Sequence, residues 1–331
     1  VTETILANWV FMVCLTFFSG EYSKSCSLNN SNLSQKLSLQ WLTVKTYDYG
    51  QNEAGRRSMT SFSDKLKSTI QRTGGCLCVG LDVDLAKLPA GVSKDAQGAL
   101  EFCKAVIEST KDLAAAYKPN MAFFESLGAE GITVLESLRA FIPADAIVVI
   151  DAKRGDIGNT SQAYAKAFYE NMKADSVTLS PYMGKDSIDP FLEYPGTCSF
   201  VLCLTSNPSS ADFQLQTLQN GQKLYEWVAK TAIGWGQGKK GEVGLVVGAT
   251  QTQYIKDLRH LVPDTVFLVP GVGAQGGDLQ GVLKEGRAKN GFGILVNASR
   301  QVLYASSGSD FASASRREAQ KLVDEMKPYF K

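Results

Sequence analysis

The chain has 331 residues, 44% hydrophobic and 20% charged, the balance of a globular protein with a sizeable core. Its 34 Lys and Arg nearly cancel its 33 Asp and Glu, which argues against nucleic-acid or anionic-membrane binding through bulk charge. The single histidine, His260, lies in the polar helix end "DLRHLVP" and reads as structural or surface, so a zinc cluster or a Ser-His-Asp or Cys-His mechanism has almost nothing to use.

In chain order, the first 58 residues do not match the rest. The run "ILANWVFMVCLTFF" (5–18) is apolar but short for a membrane span. It resembles a signal-peptide core, yet Glu3 precedes it, no Lys or Arg does, and no small-x-small cleavage site follows at the usual distance. Residues 19–58 are rich in Ser, Asn and Gln with little periodicity. Residues 1–58 are therefore expected to be a poorly structured extension, upstream-translated sequence or, alternatively, a targeting segment. The folded domain is expected over 59–331. It opens with "MTSFSDKLKSTIQRTGG", where Ser63 is the expected N-cap, Leu66 and Ile70 share a face, and Gly74-Gly75 stop the helix.

From Cys76 onward, short β-rich runs alternate with helical patterns. The predicted strands are "CLCVGLD" (76–82), "AAYKPNM" (115–121), "AIVVIDAK" (146–153), "SVTLSP" (176–181), "CSFVLCLTS" (198–206), "GLVVGAT" (244–250), "VFLVPGVG" (266–273) and "FGILVNASR" (292–300). Such continuous apolar runs suit strands buried on both faces. Between them, Leu100, Cys103, Val106 and Ile107 form a helical stripe, as do Tyr164, Ala167, Phe168 and Met172, and Ala319, Leu322, Val323 and Met326. Roughly eight β/α units in about 260 residues predict a (β/α)8 TIM barrel. The rival, an open doubly wound sheet, lacks a G-x-G-x-x-G after the first strand. The 7 cysteines show no C-x-x-C spacing, and Cys76, Cys78, Cys198 and Cys203 sit in apolar runs, which suits a reducing compartment.

Barrel active sites form where strands end, and the polar residues gather there. Asp82 ends the first strand, and Lys118 and Asn120 the second. Asp151, Lys153 and Asp156 end the third, Ser206 the fifth, and Arg300 the eighth. Asp151 and Lys153 are two apart and share a strand face, with Lys118 on the neighbouring strand and Asp156 in the loop beyond. An alternating Lys-Asp-Lys-Asp array follows. A buried ion network holding the barrel together would explain one such pair; four charges at strand ends point to chemistry. Carboxylates around Lys153 keep it charged, a proton donor needing no cofactor, and a carboxylate beside a departing negative charge favours the transition state. The glycine-rich "GVGAQGGDL" (271–279) and Arg300 follow the seventh and eighth strands, the common phosphate position of such barrels. The residues thus predict a phosphorylated small molecule with its reacting centre over Lys153.

"DAKRGDIGNT" resembles the D-x-K-x-x-D signature of the orotidine 5′-phosphate decarboxylase family. The resemblance continues through "CLCVGLD", "YKPNMAFFE", "LTSNP", "VVGAT", "PGVGAQGGD" and "ILVNASR", and is similar to the longer-loop branch. It implies conversion of orotidine 5′-monophosphate to UMP and CO2 in pyrimidine biosynthesis, in a cytoplasmic homodimer, with no metal or organic cofactor, no nucleic acid and no membrane. Lys153 would protonate C6, Asp151 would lie near the substrate carboxylate, and Lys118 and Asp156 would complete the array. Asp156 and Thr160 would reach the partner subunit's site. Asp82 and Lys118 would hold the ribose, with Asn120 in the same pocket, and Ser206 would bond the pyrimidine. Gln275, Arg300 and the backbone at Gly273 would bind phosphate. The alternatives are a magnesium-dependent sugar-phosphate decarboxylase or aldolase-like relative, disfavoured by Lys118 where such relatives carry an acidic ligand, and a non-catalytic phosphometabolite-binding barrel.

Overall fold

The structure, a computed structural model, describes residues 60–250, 252–272 and 277–330. The extension expected over 1–58 lies outside the described residues, as do Cys14 and Cys26. Eight parallel strands close into a barrel in sequence order: β1 Leu77–Leu81, β2 Ala116–Pro119, β3 Ile147–Arg154, β4 Ser176–Leu179, β5 Cys198–Leu204, β6 Glu242–Val247, β7 Phe267–Pro270 and β8 Ile294–Ala298. The predicted (β/α)8 barrel is the observed fold. β1, β2, β4 and β8 are buried along their whole length, as apolar runs covered on both faces require.

The first helix, α1 (Phe62–Thr73), precedes the barrel and covers its N-terminal end. Ser61, not Ser63, is its N-cap, its Oγ accepting from the Asp64 N–H at 3.1 Å. Ser63 instead donates to Glu242 at the start of β6 (2.5 Å), so a tertiary partner decides between two locally plausible caps. Phe62, Leu66 and Ile70 are fully buried, each contributing about 1.5–3 kcal/mol. Phe62 meets Phe200 of β5 edge-on at 5.9 Å. Gly74 ends the helix with φ 74°, the left-handed cap that a residue with a Cβ resists.

The outer layer comprises α2 (Ala96–Thr110), the short α3 (Met121–Glu125), α4 (Gly128–Leu138), α5 (Gly158–Lys166), α6 (Leu224–Gly236), α7 (Thr252–Leu261), α8 (Leu279–Gly286), α9 (Arg300–Leu303) and α10 (Phe311–Met326). The expected alternation fails once. Between β4 and β5 the chain makes two 3-10 turns, Lys185–Ser187 and Asp189–Glu193, and no α-helix. Gly184, at φ 82°, precedes the first turn, and Pro190 lies in the first positions of the second. His260 is exposed on the last turn of α7, where its Nδ1 lies 2.9 Å from the Lys256 carbonyl oxygen. Cys76, Cys78, Cys103, Cys198 and Cys203 are all buried and free.

Candidate active site

Strand β2 carries Lys118 at its C-terminal end, only 3% exposed. A lone buried ammonium would be prohibitive, and two carboxylates meet it. Asp151 Oδ2 of β3 lies 2.7 Å from Lys118 Nζ, and Asp82 Oδ1, just past β1, lies 3.9 Å away. Burial pulls the Lys118 ammonium down, but Asp151 and Asp82 more than offset it and hold its pKa above the usual 10.5. Burial likewise pushes the Asp151 carboxyl up, yet Lys118 and Lys153 together hold it well below its ordinary 3.8. Both groups are charged across the neutral range.

Lys153 reaches the other oxygen of the same carboxylate, Nζ to Asp151 Oδ1 at 2.5 Å. The pleat does not bring it there. Ile150 pairs with Val177, but Arg154 pairs with Leu179, so β3 bulges against β4 over the residues between. Within that bulge Lys153 has φ 49°, a left-handed conformation that costs a non-glycine residue about 1–3 kcal/mol. Asp151 and Lys153 thus meet as expected, but across a bulge in β3 rather than along a regular pleat. Asp151 is 9% exposed, whereas the Lys153 side chain is 49% exposed and opens to solvent.

Asp156 takes no part in the ion pairs of the described residues; its Oδ1 accepts from the Ile157 N–H at 2.8 Å. Within the chain the run of charges is Asp82–Lys118–Asp151–Lys153. Thr160 is exposed on the first turn of α5, beyond Asp156. Asn120 is adjacent to the array, bridged to Asp151 through the backbone, and its Oδ1 caps α3 by accepting from the Ala122 N–H at 3.2 Å. Arg300 is exposed at the start of α9 and pairs with no carboxylate among the described residues. Gly273 and Gln275 lie outside the described residues; the flanks of their loop, Val272 and Gly277, are bridged.

Among the polar atoms buried at this end of the barrel without a hydrogen-bond partner are Asp82 Oδ1, Arg154 Nε, Ser206 Oγ and Asn297 Oδ1. Buried polar atoms are nearly always satisfied, so a cluster of exceptions at strand ends reads as a surface built for a polar ligand. Ser206 lines a cavity of about 210 Å³ with Thr205, Asn207 and Tyr254. Gly248 is required beside it, since a Cβ there would stand 2.2 Å from Ser206 Oγ. Residues without a predicted role also shape the site. The Tyr304 hydroxyl donates to the Asp82 carbonyl at 2.8 Å and accepts from the Asp84 N–H at 2.7 Å, fixing the loop that carries Asp82. Thr178 of β4 donates to Asp151 Oδ1 at 2.9 Å. Its signal in the sequence was slight, a single hydroxyl inside the apolar "SVTLSP".

A parallel barrel with an alternating acid–lysine array and unmet polar atoms at its strand C-termini defines a (β/α)8 enzyme acting on a small polar substrate. The model of the "Orotidine 5'-phosphate decarboxylase / HUMPS family" matches residues 75–329. An orotidine 5′-phosphate decarboxylase of Dehalococcoides mccartyi is 47% identical over 273 residues, covering 82% of this chain and 98% of its own. The solved UMP synthase of Leishmania donovani is 44% identical with a TM-score of 0.71, the match covering 80% of this chain and 56% of that one. The solved OMP decarboxylase of the same organism is 41% identical with a TM-score of 0.69, covering 80% of this chain and 98% of that one. The chain belongs to the orotidine 5′-phosphate decarboxylase family and is a carboxy-lyase of that kind.

Proposed function

We propose that the protein decarboxylates orotidine 5′-monophosphate to UMP and CO2, with Lys153 as the proton donor and no metal or organic cofactor in the step. The C6–carboxylate bond breaks, CO2 leaves, and the electron pair stays on C6. One N–H proton of the Lys153 ammonium moves to C6, and the resulting amine regains a proton from water. The observation that carries this reading is the placement of one carboxylate, Asp151, between two lysines. Asp151 stands beside the substrate carboxylate, so its repulsion falls as CO2 departs, while Lys118 keeps Asp151 ionised. Asp82 and Lys118 hold the ribose hydroxyls with Asn120 beside them, and Ser206 bonds the pyrimidine. Arg300, with Gln275 and the backbone at Gly273, grips the phosphate.

The reading includes a homodimer with shared sites. Asp156, which pairs with no lysine of its own chain among the described residues, and Thr160 beyond it serve the neighbouring subunit. Residues 59–331 are the catalytic unit and 1–58 are dispensable. The buried free thiols support a reducing, cytoplasmic setting. No helix of the described residues is long and apolar enough to cross a membrane. The test is an absorbance assay of orotidine 5′-monophosphate loss with EDTA present. Turnover is expected to survive exhaustive chelation. Abolition by EDTA with recovery on adding Mg2+ would favour the sugar-phosphate alternative.

A further inference from the structure

The strained lysine at the centre of the site needs something to hold it, and one side chain does so. Thr178 in β4 is 1% exposed. Its Oγ1 accepts from the Ala152 N–H and the Lys153 N–H, both at 3.0 Å. The same oxygen stands 2.9 Å from Asp151 Oδ1. A hydroxyl has one proton and two lone pairs. Both backbone groups can only donate, so the single hydroxyl proton must go to Asp151, and the hydroxyl is fully used. Accepting twice also polarises it, making it a stronger donor to the carboxylate. Among the described residues no other side chain hydrogen-bonds both Asp151 and the backbone of the bulge.

We propose that Thr178 is a positioning residue for the decarboxylation: its hydroxyl ties the β3 bulge to the Asp151 carboxylate and so sets where the Lys153 ammonium sits. The inference rests on the reading of Lys153 as proton donor. Asp151 Oδ2 is taken by Lys118, and Oδ1 is shared by Lys153 and Thr178. Without the hydroxyl, the Lys153 N–H at φ 49° loses its acceptor and the bulge is free to relax toward ordinary strand geometry. Asp151 then loses the donor that fixes its plane. Lys153 remains present and charged, but its ammonium no longer occupies the place from which it reaches C6. Valine has the shape of threonine without the hydroxyl, so it isolates this effect from packing.

Thr178→Val, Thr178→Ser and Lys153→Ala are to be compared in the full chain for turnover, calorimetric UMP affinity, and exchange of the UMP C6 hydrogen in D2O. That exchange runs the proposed proton transfer backwards and involves no CO2. Thr178→Val is expected to lower turnover and C6 exchange together by roughly 100-fold, the scale of a misplaced general acid. UMP affinity should stay within about threefold, and Thr178→Ser should recover turnover to within about fivefold of the parent. Should the valine variant prove insoluble, Thr178→Cys keeps the volume with a far weaker donor, and the same split between turnover and affinity is expected. Full turnover in the valine or cysteine variant would overturn the inference. So would a parallel loss of turnover and UMP affinity that serine does not rescue. If Lys153→Ala itself kept turnover, the underlying reading would fall first; if it were inactive while Thr178→Val was unimpaired, only the role of Thr178 would fall.

Discussion

Each end of this barrel buries a cation, and the two are treated in opposite ways. Arg259 on α7, at the N-terminal end, is 9% exposed and spends its guanidinium on neutral carbonyls, those of Val262, Pro263, Thr265, Gly286 and Gly293. It also stacks on Phe267 at 3.7 Å. Burial lowers its pKa to about 9, so it stays charged at neutral pH. Lys118, at the C-terminal end, is met by carboxylates, and its neighbour Lys153 sits on strained backbone open to solvent. The same contrast holds for cavities. The larger one, about 890 Å³, lies at the N-terminal end, yet its Lys65 and Arg72 are paired with Asp175 and Asp145. The smaller, about 210 Å³, contains the partnerless Ser206 hydroxyl. Neither feature alone separates the two ends, since Lys173 (φ 53°) and the partnerless Ser176 Oγ lie at the start of β4; at the C-terminal end they coincide with the acid–lysine array.

Removing Asp151 should expose that contrast most strongly. Asp151→Ala strands Lys118 with only the more distant Asp82, and should abolish turnover while costing about 3–5 kcal/mol of stability. Urea denaturation and the decarboxylation assay read the two effects. Arg259→Met should cost about 3 kcal/mol, because several buried carbonyls lose their donor together, while the rate per folded molecule is unchanged. A catalytic defect in that variant at full folding would erase the distinction between the two ends. Arg300→Ala should do the converse. It should weaken UMP binding by roughly 10–100-fold, about 1.4–2.7 kcal/mol, with no shift in melting temperature.

Subunit exchange sharpens the picture at the rim. Mixing inactive Lys153→Ala with inactive Asp156→Ala should regenerate activity, because the heterodimer retains one intact site. Random exchange makes half of the dimers mixed, so about a quarter of the parent activity is expected. No recovery after verified exchange would assign Asp156 to its own subunit. The smallest expected effect is that of pH on stability. Asp151 is held below 3.8, so its contribution is complete above that value and is lost only as pH falls through its folded pKa. Lys118 is held above 10.5, so its contribution is complete below that value and is lost as pH rises through its folded pKa. Stability from the array should therefore be flat across the neutral range. A step near pH 7 that disappears in Asp151→Asn would contradict this.

The eight strands and the placing of Asp82, Lys118, Asp151 and Lys153 at their C-terminal ends were legible in the sequence. Buried strands are written as apolar runs, and a charge ending such a run stands out. The bulge was not legible, because period-two alternation already gave Asp151 and Lys153 a common face and hid the break in β3. Thr178 and Tyr304 act across the fold on Asp151 and Asp82, and nothing local announces such partners. Ser63 failed as a cap for the same reason, its hydroxyl being claimed by Glu242 on a distant strand.

The most direct test compares decarboxylation rate and calorimetric UMP affinity in Lys153→Ala. The account predicts that nearly all turnover disappears, while UMP binding stays within about tenfold of the parent, roughly 1.4 kcal/mol. Added guanidinium, which can stand in for the lost cation in Arg300→Ala, should rescue nothing in Lys153→Ala, since no proton donor remains. Substantial turnover in Lys153→Ala would contradict the account, and the array would then be an ion network that holds the barrel closed.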